Sequence, residues 1–288
     1  MTHEVRSAAV GFHSGELAVQ QRAGVGARAA QLAPMASRGR LGAGTAAFLA
    51  SSRLAVLTAR DAEGRLWISP MTGESGFLRV ATPTTLHIDG ELPHGDPLAG
   101  APTDQTVGVL VIDFAARRRF RINGQLRQRD SDGIEIDVGQ AYGNCPKYID
   151  PSAQPTADPR RPDRTRVFTG TELRPEEREL IGRSAAFFLG TTHPTSGNDA
   201  SHRGGPAGFV HATTGGLCWP DYPGNNMFNS FGNLAVDPSA ALLFVDAGTS
   251  LQLSGTAEVV WDAEQSDDNL RTGRQVIFAA QRVITTVR

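Results

Sequence analysis

VLVID at residues 109–113, followed by RINGQLRQR at 121–129, returns later in the chain as LLFVD at 242–246 and QLSGTAEVV at 252–260. The offsets are 133 and 131. Upstream, GESGFLRVATPTTLHID (73–89) resembles GPAGFVHATTGGLCWPD (205–221), with Gly76-Phe77 falling 132 positions before Gly208-Phe209. AAFLASS (46–52) resembles AAFFLGTT (185–192) and extends the match toward the N-terminus. Blocks in one order at a nearly constant offset mean that one unit occurs twice. Two copies in one chain make the pseudo-symmetric counterpart of a homodimer.

The unit is built of strands. RLAVLTA from residue 53, the turn DAEG, and RLWIS form a hairpin pattern, followed by GFLRVA, TTLHID, TVGVLVIDF and RRRFRINGQLRQR. Short strands with tight turns predict an all-β barrel or sandwich. DVGQAYGNCPKYI reads as a strand end and a short helix. Flanking helices are expected at 14–32, with Ser14 as cap, and at RPEERELIGR, which has an acidic first turn. GVGARA inside the first helix follows the polar QQRA rather than a strand, so it fails the context of a dinucleotide loop. Residues 150–165 are Pro-rich and polar, a linker or long surface loop. The chain therefore divides into 1–165, a helix with the first β unit and linker, and 166–288, the second unit.

The chain carries 28 basic and 30 acidic residues, a net charge of -2, which argues against nucleic-acid or membrane-surface binding. Lys147 is the single lysine, so arginine supplies nearly all positive charge. Cys145 and Cys218 lie far apart and outside any CxxC, and the histidines form no HxH or HExxH, so no metal centre is expected. No apolar run reaches membrane-span length, and residues 1–16 lack a signal-peptide pattern; a cytoplasmic location is expected.

The copies differ where chemistry is expected. The second packs Asn225, Asn226, Asn229, Ser230 and Asn233 into nine residues. Such a loop suits a phosphate or a flavin edge, or is a turn needing left-handed residues. Just upstream, Ser201, His202, Arg203 and Gly204 combine a charged fork with backbone that a ligand can approach. In the first copy Arg117, Arg119, Arg121 and Asn123 alternate along one strand face, either solvated or anion-binding. Trp67 and Ser69 stand where Ser201 to Arg203 stand in the repeat, and Trp67 either stacks on a ring or closes the core. His202 is the candidate acid or base. Cys145 is either a reactive thiol at a helix start or a buried structural cysteine.

GELAVQQRAGV, RRRFRINGQL, QAYGNCPKYI, SHRGGPAGFV and PGNNMFNSFGNL, from about Gly11 to Trp261, resemble a tandem subgroup of the pyridoxamine 5'-phosphate oxidase-like FMN-binding split barrels. The resemblance implies a mainly β fold: two tandem split β-barrels paired as a pseudo-dimer, with FMN between them. It implies an FMN-dependent oxidoreductase acting on a small organic substrate. Arg203, Asn225, Asn226, Asn229 and Ser230 then hold phosphate and ribityl groups, while Arg119, Arg121 and Asn123 approach from the other copy. Ser230 falls near the family's phosphate-binding lysine, and Arg203 lies near its phosphate-binding arginine, out of register. No pyridoxamine phosphate site is recognisable. Some relatives carry a C-terminal Cys-rich iron–sulfur half. With no such motif before Arg288, electrons are expected from NAD(P)H, a partner reductase or the substrate. The alternatives are an F420- or haem-binding barrel, haem using His202 or His211, and a non-catalytic flavin-binding or interaction module. A monomeric pseudo-dimer or a homodimer is expected.

Overall fold

A computed structural model describes residues 11–36, 39–90, 92, 95–130, 133–154, 165–213, 216–246, 248–261 and 272–287. The expected linker falls largely outside these residues. The described residues begin with three α-helices, α1 (Ser14–Arg22), α2 (Gly26–Ala30) and α3 (Ala43–Ser51). The first sheet then contains β1 (Leu54–Arg60), β2 (Leu66–Thr72), β3 (Leu78–Thr82), β4 (Thr85–Ile88), β5 (Thr106–Asp113), β6 (Arg118–Asp130) and β7 (Gly133–Asn144). β8 (Arg166–Gly170) and α4 (Pro175–Arg183) lead into β9 (Ala186–His193), β10 (Gly197–Gly204), β11 (His211–Thr213) and β12 (Gly216–Pro220). α5 (Asn229–Leu234), β13 (Ser239–Asp246), β14 (Thr249–Trp261) and β15 (Arg274–Val287) complete the fold.

The first sheet runs β2-β1-β5-β6-β7-β4-β3 and the second β10-β9-β13-β14-β15-β12-β11, with β8 added beside β15. The two orders are the same topology written twice, and all the pairings are antiparallel. The molecule is a tandem of two split β-barrels with flanking helices.

Each barrel closes over its own apolar core, one around Trp67, Leu78 and Val109, the other around Phe187, Trp219 and Phe244. A third cluster joins them: Val56, Leu66, Ile68, Leu110 and Ile112 meet Phe188, Ala200, Ala241 and Leu243. The run VGVLVI explains why. Val107, Val109 and Val111 face the barrel interior, whereas Leu110 and Ile112 face the other barrel. A strand buried on both faces reads as continuously apolar rather than alternating.

Four local expectations are corrected. The 14–32 helix is two helices, because Gly24 adopts a φ of +68° between them. Its cap is His13, whose Nδ1 accepts from the Gly15 and Glu16 amides, rather than Ser14. AAFLASS and AAFFLGTT are not equivalent: the first lies in α3 up to Ser51, and the second forms β9. Alanine favours the helix in one, while paired Phe and Thr favour the strand in the other. The stretch after Asn144 turns without forming a helix before the short 3-10 turn at Pro151–Ala153.

Candidate functional site

The barrels leave a cleft at one side of their joint, floored by β6 of the first and by β10 and α5 of the second. It encloses about 1020 Å³, open solvent at its mouth included. Arg119 and Arg121 enter from β6, at alternate positions of one strand face. Arg117 does not share that face; it sits in the preceding turn at φ +50°. Ser201, His202, Arg203 and Gly204 line the cleft from β10, and Asn225, Asn226, Asn229 and Ser230 line it from the loop and first turn of α5.

Three guanidiniums converge here with little counter-charge. Arg121 lies 3.1 Å from Asp199 and donates to Asn229 Oδ1 at 3.1 Å and to the Tyr142 hydroxyl at 3.3 Å. Burial works against its charge, but Asp199, Tyr142 and Glu16 hold its pKa above the usual value. Burial lowers Arg203, with Arg121 adding repulsion and Asp221 offsetting part of it. Asp221 is itself paired with Arg274 at 2.8 Å. Burial, then Arg121 and Arg203, lowers Arg119 to about 10. Seven buried side-chain polar atoms lack a hydrogen-bond partner among the described residues. Five of those residues line this cleft: Arg119, Arg121 and Arg203 through Nε, Asn144 through Oδ1, and His202 through Nε2. Buried donors and charges left this way cost several kcal/mol in total unless a ligand meets them. Guanidinium donors arranged this way can hold a polyanionic group.

The backbone agrees. Tyr148, Asn226 and Phe228 line the cleft with φ of +65°, +64° and +58°. Non-glycine residues held there carry strain, which concentrates at functional sites. Gly204 is required: a Cβ would overlap the Tyr148 carbonyl oxygen. The first copy's loop is clamped over the second's, with Tyr148 Oη and Lys147 Nζ both donating to the Pro223 carbonyl, at 3.0 and 3.1 Å. Tyr148 and Tyr222 form an aromatic wall, ring centroids 5.5 Å apart. Cys145 is exposed at the same cleft, so the buried-cysteine reading does not hold.

His202 is buried between the edges of Phe114 and Phe188. Burial, then Arg119 and Arg203, lowers its pKa to about 3, so the ring is neutral. Its Nδ1 lies 3.0 Å from Arg119 Nη1 and must accept there, which leaves the proton on the unpartnered Nε2.

Four candidates lie elsewhere. Trp67 closes the first barrel's core, its indole donating to Asp61 at 2.8 Å. Ser69 is buried, donating to Asp96 at 2.6 Å. Asn233 faces His13 and Thr191, and Asn123 donates to Asp199 at 3.3 Å; both line a smaller chamber behind Arg121. The sequence reading missed Glu16, Asp199, Tyr142, Tyr148 and Tyr222. Glu16, Tyr142 and Tyr148 lay inside quoted motifs, but only the assembled fold brings Tyr148 to the cleft and sets Glu16, Asp199 and Tyr142 around Arg121 behind it.

Two barrels of one topology enclosing an arginine-lined cleft define a tandem split-barrel protein. Residues 173–285 match the pyridoxamine 5'-phosphate oxidase family, so the second barrel is a pyridoxamine 5'-phosphate oxidase-like split barrel. No curated protein matches the chain. Among solved structures, a HupZ variant of Group A Streptococcus is 12% identical over 40% of this chain and 99% of its own, with a TM-score of 0.32. An F420 reductase is 13% identical over 37% of this chain and 94% of its own, with a TM-score of 0.29. HutZ, described as the haem storage protein of Vibrio cholerae, is 13% identical over 37% of this chain and 87% of its own, with a TM-score of 0.27. No helix among the described residues is long and apolar enough to cross a membrane.

Proposed function

We propose that the protein is an FMN-dependent oxidoreductase acting on a small organic substrate, with one FMN held in the cleft between the barrels. The convergence of Arg119, Arg121 and Arg203, each with an unpartnered buried Nε, carries the reading. A phosphate monoester brings close to two negative charges and three acceptor oxygens. That is what these donors lack. Arg203 and Arg121 would hold the phosphate, with Ser201, Ser230 and Asn229 supplying neutral donors in place of the absent lysine. Tyr148 and Tyr222 would wall the ring. Bound FMN would supply two-electron transfer, and the chain's part is to bind, orient and shield it. The neutral, buried His202 would fix Arg119 rather than move a proton. Electrons would come from NAD(P)H, a reductase or the substrate.

F420 shares the phosphate chemistry and differs in absorbance. Haem through His202 would require Arg119 to release Nδ1 so that Nε2 could lose its proton. Absorbance spectra of the purified chain with and without added FMN test the proposal. A two-band flavin spectrum is expected. Arg203→Ala should weaken FMN binding about 30-fold, the cost of a charge-assisted contact. Its melting temperature should hold or rise, because a buried cation is removed. A Soret band, or no bound chromophore, would contradict the proposal. Bound FMN with no turnover on any donor would reduce it to a flavin-binding module.

A further inference from the structure

Behind Arg121 lies a second polar chamber, bounded by His13, Glu16, Asn123, Asn198, Asp199 and Asn233. The N-terminal helix reaches it because α1 and α5 pack backbone to backbone. A Cβ on Gly15 would overlap the Gly232 carbonyl oxygen, and one on Gly232 would sit 2.6 Å from the Glu16 amide. Glu16 Oε2 accepts from His13 N at 2.8 Å, closing the capping box. Glu16 Oε1 accepts from Asn229 Nδ2 at 2.5 Å. At its other end, Asn229 Oδ1 accepts from Arg121 Nη1 at 3.1 Å. One amide therefore separates a buried carboxyl from a guanidinium that faces the cleft.

Resting on the anion-site reading above, we infer that Glu16 takes up a proton when an anion enters the cleft, and so couples ligand affinity to pH. The groups facing it are His13 on its own turn, Asn229 and Asn233 on α5, Arg121 on β6, Tyr142 on β7 and Asp199 on β10; His193 on β9 stacks on His13 at 4.1 Å. His13, His193 and Tyr142 are committed at neutral pH. Burial, then His193, lowers His13 to about 4, and burial lowers His193. Burial raises Tyr142 to about 12. Asp199 is pushed up by burial but sits against Arg121 at 3.1 Å with Asn123 donating to it. Glu16 is poised: burial foremost, with Asp199 adding, raises it to about 7 against its hydrogen bonds from His13 and Asn229. Ionised Glu16 repels an incoming anion and protonated Glu16 does not. An anion thus draws a proton onto it, and affinity falls as pH rises through 7.

Sulfate is the probe, because it keeps its charge between pH 6 and 8, where a phosphate monoester titrates. The full chain is titrated calorimetrically at constant ionic strength, at both pH values, in two buffers of different ionisation enthalpy. The expected result is sulfate binding about tenfold weaker at pH 8, proton uptake on binding near pH 7, and neither effect in Glu16→Gln. Should that variant not fold, the carboxyl carbon resonances of glutamate-labelled wild-type protein report the same proton. One resonance should titrate near pH 7 and shift upward in pKa with sulfate. No sulfate binding, equal affinity at both pH values, or a slope that survives Glu16→Gln and vanishes in Asp199→Asn would overturn the inference. A sulfate slope without FMN binding keeps the coupling and removes the flavin reading; FMN binding without the slope does the reverse.

Discussion

Among the described residues the molecule has two places where a strand of one barrel crosses the other, and only one of them is open. Strand register makes them equivalent: Ser201 pairs with Leu189 as Ser69 pairs with Leu57, and Arg121 pairs with Leu110 as Gln252 pairs with Leu243. At the open place stand Arg121, Arg203 and Asp199; their counterparts are Gln252, Met71 and Trp67. Gln252 Nε2 donates to the Ile68 carbonyl, Ser69 Oγ and Asp96 Oδ2 at 3.0–3.2 Å. A neutral amide with its acceptors at hand needs no ligand. Three cations with unpartnered donors do. One topology thus yields a sealed joint and a cleft, and a few side chains decide which.

The contrast can be broken most strongly at Arg121. Arg121→Gln gives the open place the residue of the closed one, and should weaken FMN about 100-fold in a fluorescence titration. It also strands Asp199, so chemical denaturation should show a loss of about 3 kcal/mol. Unchanged affinity would mean that Arg121 supports the fold and not the ligand. Ser69→Ala is the mildest probe. It removes two buried hydrogen bonds, one donated to Asp96 and one accepted from Gln252, costs about 2 kcal/mol, and leaves FMN affinity as it was. A loss of affinity there would place a ligand at the sealed joint too.

The repeat made most of the fold legible, because strands flanked by the barrel core and the barrel joint are apolar on both faces and keep their order in both copies. It misled at AAFLASS, where similar letters serve helix and strand. It also misled at Trp67 and Ser69, because a repeat invites the assumption that equivalent positions share a role. The cue lay in the sequence, with Arg121 matched by Gln252 at an offset of 131. The arginines and the Asn loop were legible because their chemistry is local. Glu16 and Asp199 were not: their environment is set by α1 packing on α5 and by β10 crossing β6, contacts with no local pattern.

The most direct test of the central claim compares FMN with riboflavin, which lacks the phosphate, by titration of the wild-type chain. The cleft as described predicts one FMN per chain and affinity about 100-fold above that for riboflavin. Equal affinity for the two, or two FMN per chain, would contradict an account in which one cleft of arginines holds the phosphate.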